Sequence, residues 1–395
     1  MRDIILITLS TPTKTNYRTA SALPYHIALN REKDVNLTIY SFNLNNANSE
    51  IIEKSSKELN CTIKILDMPW WYNLIFKMHL LFLRIFLPYP FFYYFTLPEN
   101  ISRSINKDDV VWIYGEDIAH LAKGIDNKCI VTTPDCEAMY YYRLLSLNIG
   151  NKSVTKFMRY SLAYRKYLRL IRKFPTRDNI KYHLVGYEDL LFLKNINPDT
   201  NAYFLRHPHY ETIERESIKF KGSKIKILIA GRNDLYQHLA TDIVIQNFLK
   251  HQELSEQYDI TFLGKGWEEY TRILNNAGYK TIHKGYVEDY IKEITQHDIQ
   301  ITAITVGTGT KGKVLDAFAN GLLVIGNKFA LENINVENGV SCLSYDTPED
   351  LNQILHNIAS NRTRYEIIAK KGMEEVLNYH NSQKISNQFY KLIES

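Results

Sequence analysis

Val306-Gly307-Thr308-Gly309-Thr310-Lys311-Gly312-Lys313-Val314-Leu315-Asp316-Ala317 continues into Phe318-Ala319-Asn320-Gly321-Leu322-Leu323-Val324-Ile325-Gly326. It reads as a glycine-rich turn, an amphipathic helix, a glycine stop and a short apolar strand. Glycines let backbone N–H groups approach an anion, and the start of a helix adds unpaired donors and the positive end of its dipole. Lys311 and Lys313 add two cations at the same place. Asp316 lies about one turn further on. A carboxylate there would be repelled by a phosphate but suits a pair of ribose hydroxyls. The spacing sketches a nucleotide, with phosphates at the turn and a diol deeper in. Similar turns also open helices that bind nothing, so the rest of the chain must bear on the reading.

Upstream of this stretch, 224–230 is a very apolar strand ending in Gly231-Arg232. Helical patterns at 240–249, 267–277 and 287–296 alternate with strand patterns at 258–263, 280–283 and 299–305. Helices at 348–360 and 363–379 follow. The first half repeats the scheme. Strands are expected at 4–9, 35–42, 62–66, 110–114, 128–132, 181–185 and 202–205, with helices at 19–30 and 50–60. Strands separated by helices imply parallel pairing. The fold class is therefore α/β, with two Rossmann-like doubly wound domains facing a cleft at their strand C-terminal ends, where open parallel sheets bind ligands. The expected domains are 1–211 and 224–380, joined by a polar linker at 212–223, with a last helix at 381–395 packing back on the first domain.

A chain of 395 residues suits two domains. Its 48 basic and 43 acidic side chains leave a net charge of +5, too mild to mark a nucleic-acid binder. Cys61, Cys129, Cys136 and Cys342 form no C-x-x-C pair, and no histidine cluster sits at ligand spacing. Neither a zinc site nor a disulfide framework is expected, and a reducing cytoplasm is the simplest setting. The opening residues turn polar too soon for a signal peptide and read as a buried first strand.

The second half resembles the retaining glycosyltransferases of the GT-B fold, in particular the family 4 group (glycosyl transferases group 1). The resemblance rests on motifs and their order: Ala230-Gly231-Arg232, Phe262-Leu263-Gly264-Lys265-Gly266, Lys284-Gly285-Tyr286-Val287, the turn and helix of 309–317, Ala319-Asn320-Gly321-Leu322-Leu323-Val324-Ile325, and Asn338-Gly339-Val340-Ser341-Cys342-Leu343. It covers 224–358 well; the first half is similar in architecture alone. The resemblance implies that Arg232 and Lys311 hold the diphosphate and stabilise the charge developing on it, with Lys313 beside them. The N–H groups of Gly309 and Thr310 would cap the distal phosphate, and Asp316 would bind the ribose where the family usually has Glu. Gly264 and Gly266 would form a tight turn under the base, which Tyr286 and Val287 would line. The donor substrate would be a nucleotide diphosphate sugar. Cations and a helix N-terminus can stabilise the leaving group without a metal. No Asp-x-Asp motif is present, and neither a metal nor another cofactor is expected.

Three departures stand out. Thr308 occupies a position where the family often has Glu, Gln237 one where it often has Lys, and Asp316 is a methylene shorter than Glu. They leave open a catalytically silent protein of the same fold that binds a nucleotide sugar or stabilises a partner enzyme. A UDP-sugar epimerase on the same fold is a further alternative.

In the first half, the loop Ser10-Thr11-Pro12-Thr13-Lys14-Thr15-Asn16-Tyr17-Arg18 follows the first strand. Its hydroxyls and two cations make Thr11, Thr13, Lys14 and Arg18 candidates for an acceptor loop. Asp135 follows a strand at its cleft-facing end. It reads either as the group that positions or deprotonates the acceptor hydroxyl, with Glu137 as rival, or as a helix cap. His207 and His209 read as structural or cleft-lining.

Two stretches point to a membrane. Residues 69–97 are dense in aromatics and leucine but interrupted by Lys77, His79, Arg84, Pro88 and Pro90. That suits an interfacial segment rather than a spanning helix. Residues 151–174 carry Lys152, Lys156, Arg159, Arg165, Lys166, Arg169, Arg172 and Lys173 without an acid, and apolar residues recur at helical spacing. The alternative is an apolar stripe packed on the domain's own sheet. The expectation is a cytoplasmic enzyme, peripheral on the inner face of an anionic membrane. It would transfer a hexose-type sugar with retention to a hydroxyl of a lipid-linked surface glycan, such as a capsule or O-antigen, and bind no nucleic acid.

Overall fold

The computed structural model describes residues 2–16, 18–151, 153–213 and 216–394. The chain divides into two compact units, Met1–Pro208 with Ser382–Ser395, and His209–Asn381.

Among the described residues, the first unit holds a seven-stranded sheet of β1 (Arg2–Thr8), β2 (Val35–Ser41), β3 (Thr62–Ile65), β4 (Val110–Tyr114), β5 (Cys129–Thr132), β6 (Ile180–Leu184) and β7 (Ala202–Phe204). The order is β3-β2-β1-β4-β5-β6-β7 and every pairing is parallel. Leu6 at the centre pairs with Ile39 on one side and Trp112 on the other, and all three are fully buried. A central strand covered on both faces needs a continuous apolar run, which Ile4–Ile7 supplies.

The second unit repeats the plan with β8 (Ile225–Ala230), β9 (Tyr258–Leu263), β10 (Lys280–Lys284), β11 (Ile299–Thr302), β12 (Leu323–Gly326) and β13 (Leu343–Ser344), in the order β10-β9-β8-β11-β12-β13. These strands are also all parallel. Each sheet starts in the middle, winds one way, then returns to wind the other. That leaves a crevice at the strand C-termini where the direction reverses. In the first unit it lies between the ends of β1 and β4, and in the second between the ends of β8 and β11. The strand expected at 299–305 stops at Thr302, which gives residues 303–311 to the loop at that crevice.

The division differs from the expected one. The described part of 212–223 belongs to the second unit: Ile218 and Phe220 are buried in its core, and the Ile218 N–H donates to the Gly321 carbonyl at 2.9 Å. A mostly polar stretch hid two apolar anchors. Glu214 and Arg215 lie outside the described residues. The terminal helix Ser382–Glu394 groups with the first unit. Its Phe389 lies against Trp112 with ring centres 4.7 Å apart, and the Tyr390 hydroxyl donates to the Ile27 carbonyl at 3.3 Å.

Candidate functional site

The loop after β11 turns sharply at Gly309 (φ 60°) and ends on Lys311, which caps the helix Gly312–Ala319. Lys311 folds back into the turn: its Nζ donates to the carbonyls of Thr308 (2.8 Å) and Gly309 (3.2 Å) and the residue is buried. Asn333 Nδ2 donates to the Gly309 carbonyl at 2.9 Å from the other side. A β-carbon on Gly307 would lie 2.9 Å from Lys311 Cε and 2.9 Å from the Tyr236 hydroxyl, so this position suits glycine. The result is a cation held in place at a helix N-terminus, on the reversal point of the sheet. Thr308 and Thr310 are buried in the same turn.

Arg232 leaves the end of β8 beside this turn and is exposed. Two glycine loops set its backbone. Gly231 (φ 140°) and Gly264 (φ 129°) cross closely, and the Gly231 carbonyl accepts the indole N–H of Trp267 at 2.9 Å. Gly266 is tied by Asn233 Nδ2, donating to its carbonyl at 2.8 Å. Gly264 and Gly266 thus hold the two loops together. Gln237 is buried beneath them, its Nε2 donating to the Ala230 carbonyl at 3.3 Å. Where the family often has a lysine, this amide fills the space under Gly231.

Asp316 sits in the helix opened by Lys311 and is buried; its Oδ1 accepts the Tyr210 N–H at 3.3 Å. Burial, with the nearby charge of Glu211, pushes its carboxyl up to about 7, against the pull of that N–H and of Lys313. Lys313 Nζ stands 5.9 Å from the centre of the Tyr290 ring. The Tyr290 hydroxyl is buried without a hydrogen-bond partner, and burial with the charge of Asp316 raises its pKa well above the usual value. Tyr290 was not among the candidates from sequence. Its signal is Asp289, whose side chain accepts the Lys292 N–H and so starts the helix at Tyr290, later than the expected 287. Tyr286 is 82% exposed, and Val287 packs beside the cluster of Leu228, Ala230, Leu263, Ile291 and Ile294.

In the first unit, Thr11 and Thr13 do not present free hydroxyls. Thr11 Oγ1 bonds to Ser41 Oγ (3.0 Å) and Asn43 Oδ1 (2.9 Å), and Thr13 Oγ1 to Ser21 Oγ (2.6 Å). Both are buried and shape the loop, because the turn after β1 brings them under its own backbone. Lys14 and Arg18 are exposed; Tyr17 lies outside the described residues.

Beside the expected Asp135 and Glu137, the crevice of this sheet holds the further carboxylates Glu116, Asp117 and Asp189. Glu116, just past β4, is buried and its Oε2 accepts the Glu137 N–H at 2.9 Å; Asp189 Oδ1 accepts the Cys136 N–H at 2.8 Å. Two acids distant in sequence therefore cap the helix Glu137–Asn151. Burial, then the charge of Asp135, raises Glu137 to about 8; burial raises Asp117 to about 6, and Glu116 is raised well above its usual range. Asp135 is half-buried beside them. A group with a pKa near neutrality can hold or release a proton at physiological pH. Buried His207 lies with Nδ1 2.7 Å from the Pro208 carbonyl oxygen, and the His209 N–H donates to the His380 carbonyl at 2.8 Å.

Residues 69–97 fold as short helices, Trp70–Lys77, Leu80–Phe86 and Phe91–Tyr94. Trp71, Tyr72 and Phe92 pack on the buried Phe95 and root the segment in the core. Trp70 (76%), Met78 (55%), Phe82 (57%), Ile85 (53%) and Phe86 (77%) face outward. The helix Val154–Ile171 adjoins them: Lys166 Nζ donates to the Arg84 carbonyl and Arg169 to that of Pro88. Its C-terminal stripe, Leu170 and Ile171, is buried, whereas Val154, Phe157 and Met158 are exposed. Lys152 lies outside the described residues. No helix among the described residues is long and apolar enough to cross a membrane.

Residues 241–391 match the glycosyl transferase-like family. Solved structures match across both units. HepE of Anabaena in complex with UDP-glucose has a TM-score of 0.64 at 10% identity, covering 99% of each chain. Sucrose-phosphate synthase of Thermosynechococcus elongatus has a TM-score of 0.67 at 11% identity, covering 100% of this chain and 98% of its own. A glycosyltransferase from Rickettsia africae has a TM-score of 0.63 at 12% identity with the same coverage. No curated protein matches the chain in sequence. The chain has the GT-B fold, and its region 241–391 is similar to the glycosyl transferase-like family.

Proposed function

We propose that this glycosyltransferase moves a hexose from a UDP-sugar to a hydroxyl of a lipid-linked surface glycan, with retention, at an anionic membrane. The observation that carries the reading is Lys311, fixed by Thr308 and Gly309 at a helix N-terminus with Arg232 on the neighbouring strand end. The diphosphate would lie against these groups. Charge develops on it as the glycosidic bond breaks, and oriented cations and backbone donors stabilise that charge without reorganising. Asp316 and Tyr290 would receive the nucleoside, and Lys313 the diphosphate. The choice of uracil is supported by HepE, which is solved with UDP-glucose. Retention rests on the family resemblance. Glu137 or Asp135 would take the proton of the acceptor hydroxyl, favoured by the raised pKa of Glu137.

The exposed aromatic ridge and the basic helix beside it support the membrane. Burying one such apolar side chain contributes about 1.5–3 kcal/mol, and each cation near an anionic leaflet about 1 kcal/mol. Residues 69–97 contain no acid to oppose this. A surface glycan carried on a lipid would then be presented at the bilayer where the enzyme sits.

Incubation with radiolabelled UDP-glucose, or another UDP-hexose, and a membrane lipid extract tests the reading. Label should move into the organic phase with the protein and stay in the aqueous phase with Lys311→Ala. A second reading, donor binding without transfer, is favoured by Gln237, which puts an amide where the family often has a cation. Tight UDP binding with no label transferred to lipid or water would establish it instead.

A further inference from the structure

The second unit carries a cluster of metal-ligating side chains away from the nucleotide crevice. His251 and Glu253 lie just before β9, at the N-terminal edge of the sheet, opposite the edge that holds Arg232 and Lys311. His356 comes from the helix Pro348–Ser360. His251 Nδ1 is 3.2 Å from Glu253 Oε1, and His356 Nε2 is 3.5 Å from the same oxygen. One donor atom from each residue lies within 4.8 Å of the others. Two ligands of a tetrahedral zinc ion, each bonded at about 2.0–2.1 Å, stand about 3.3–3.5 Å apart. The separation of 3.5 Å falls in that span and that of 3.2 Å lies just below it.

Two further observations support the cluster, and a third concerns a cavity beside it. The backbone of His251 is anchored: its carbonyl accepts the hydroxyl of buried Tyr279 at 2.6 Å, and its N–H donates to the Asn247 carbonyl. The helix carrying His356 is fixed at the preceding residue, where the Tyr258 hydroxyl donates to the Leu355 carbonyl at 2.6 Å. The two histidines thus stand on anchored backbone, which favours a metal site, with Glu253 reaching between them from the surface. Finally, His251 also lines a cavity of about 350 Å³ with Asn247, Lys250, Glu349 and Asn352. Asn247 is 2% exposed and its Nδ2 has no hydrogen-bond partner; the Asn352 Oδ1 is likewise buried and unpartnered. Buried polar groups without partners commonly mark a place for water or a ligand.

We propose that His251, Glu253 and His356 bind a first-row transition metal, best suited to Zn²⁺. Two imidazoles and one carboxylate, with a fourth position open to water, form a donor set that suits this ion. The metal would clamp the segment before β9 to the helix Pro348–Ser360. This site is independent of the donor site, and it does not bear on whether sugar transfer needs a metal. No histidine cluster shows in the sequence because His356 is far from the other two residues in the chain and joins them only through the fold.

The test is zinc binding by the full, tag-free chain after treatment with chelator and exchange into metal-free buffer. The expected result is one equivalent of Zn²⁺ retained through gel filtration and a melting temperature that rises with added zinc. Loss of an outer-shell partner alone commonly lowers metal affinity about 10–100-fold. His356→Ala and Glu253→Gln should each lower it at least that much, while His79→Ala, on the first unit, leaves it unchanged. Circular dichroism and the metal-free melting temperature show whether the variants fold. No retained zinc, or equal binding by folded His356→Ala, overturns the proposal.

Discussion

A β-carbon placed on Gly264 would stand 1.9 Å from the carbonyl oxygen of Gly231. The ends of β8 and β9 therefore meet backbone to backbone, and Arg232 takes its position from that contact. Gly264 also holds φ at 129°, where side chains are strained. Gly264→Ala should destabilise the chain by about 3 kcal/mol or more. Gly285→Ala, where an added carbon meets nothing, should stay within about 0.5 kcal/mol of the parent. Urea unfolding of both variants checks the pair; equal stabilities would mean that the crossing can relax.

Lys311 is both a cation at the helix start and a strut of its own turn. Hydrogen bonds to a charged group contribute about 1.5–3 kcal/mol, so Lys311→Ala should weaken UDP binding by about 10–100-fold. Lys311→Arg should recover only part of this, because the pocket formed by Thr308, Gly309 and Gly307 fits a single ammonium. Calorimetric titration with UDP measures both.

The carboxylates at the crevice of the first unit give a pH dependence of definite sign. Glu137 rises from an ordinary value of 4.5 to about 8 in the folded chain. Between those values the folded chain binds a proton that the unfolded chain has released. The stability this contributes is present below the ordinary value and is lost as pH rises towards 8. Asp117 and Asp316, raised to about 6 and about 7, act in the same sense over narrower windows. Glu137→Gln removes one titration while keeping a neutral side chain. Its melting temperature should therefore fall less between about pH 5 and about pH 8 than the parent's. Parallel curves would show that Glu137 is not the group responsible.

The exposed ridge is tested by flotation with vesicles. Replacing Trp70, Phe82 and Phe86 together by Ser should abolish binding to vesicles rich in anionic lipid, since each side chain is more than half exposed and its loss leaves the core intact. Reversing Lys156 and Arg165 to Glu should weaken binding to anionic vesicles and leave the weaker binding to neutral ones nearly unchanged. Salt should mimic the charge reversal and not the loss of the aromatics.

The second unit was legible in the sequence because its central strands are almost wholly buried and its turns need glycine. Apolar runs such as 225–230 and the glycines at 231, 264 and 309 are local requirements, readable one after another. What was not legible depends on residues distant in sequence. Glu116 and Asp189 cap a helix that begins at Glu137, and the chain near 135 gives no hint of either. Tyr210 N–H reaches Asp316 from a residue expected in the first domain, and the stretch read as linker is held in the second unit by two apolar residues, Ile218 and Phe220. Thr11 and Thr13 looked available because a hydroxyl in a loop carries no sign of its partner; the partners, Ser41, Asn43 and Ser21, come from other elements.

In the function proposed, the turn from Gly307 to Lys313 binds the diphosphate of a UDP-sugar. The most direct measurement is a thermal-shift series with UDP, GDP, ADP and CMP, without metal, on the parent chain, Lys311→Ala and Asp316→Ala. A ligand bound only by the folded state raises the melting temperature once its concentration exceeds its dissociation constant. UDP should stabilise the parent chain above the others, an effect lost in Lys311→Ala and reduced in Asp316→Ala. Equal responses of parent and Lys311→Ala, or no response to any nucleotide, would contradict that binding.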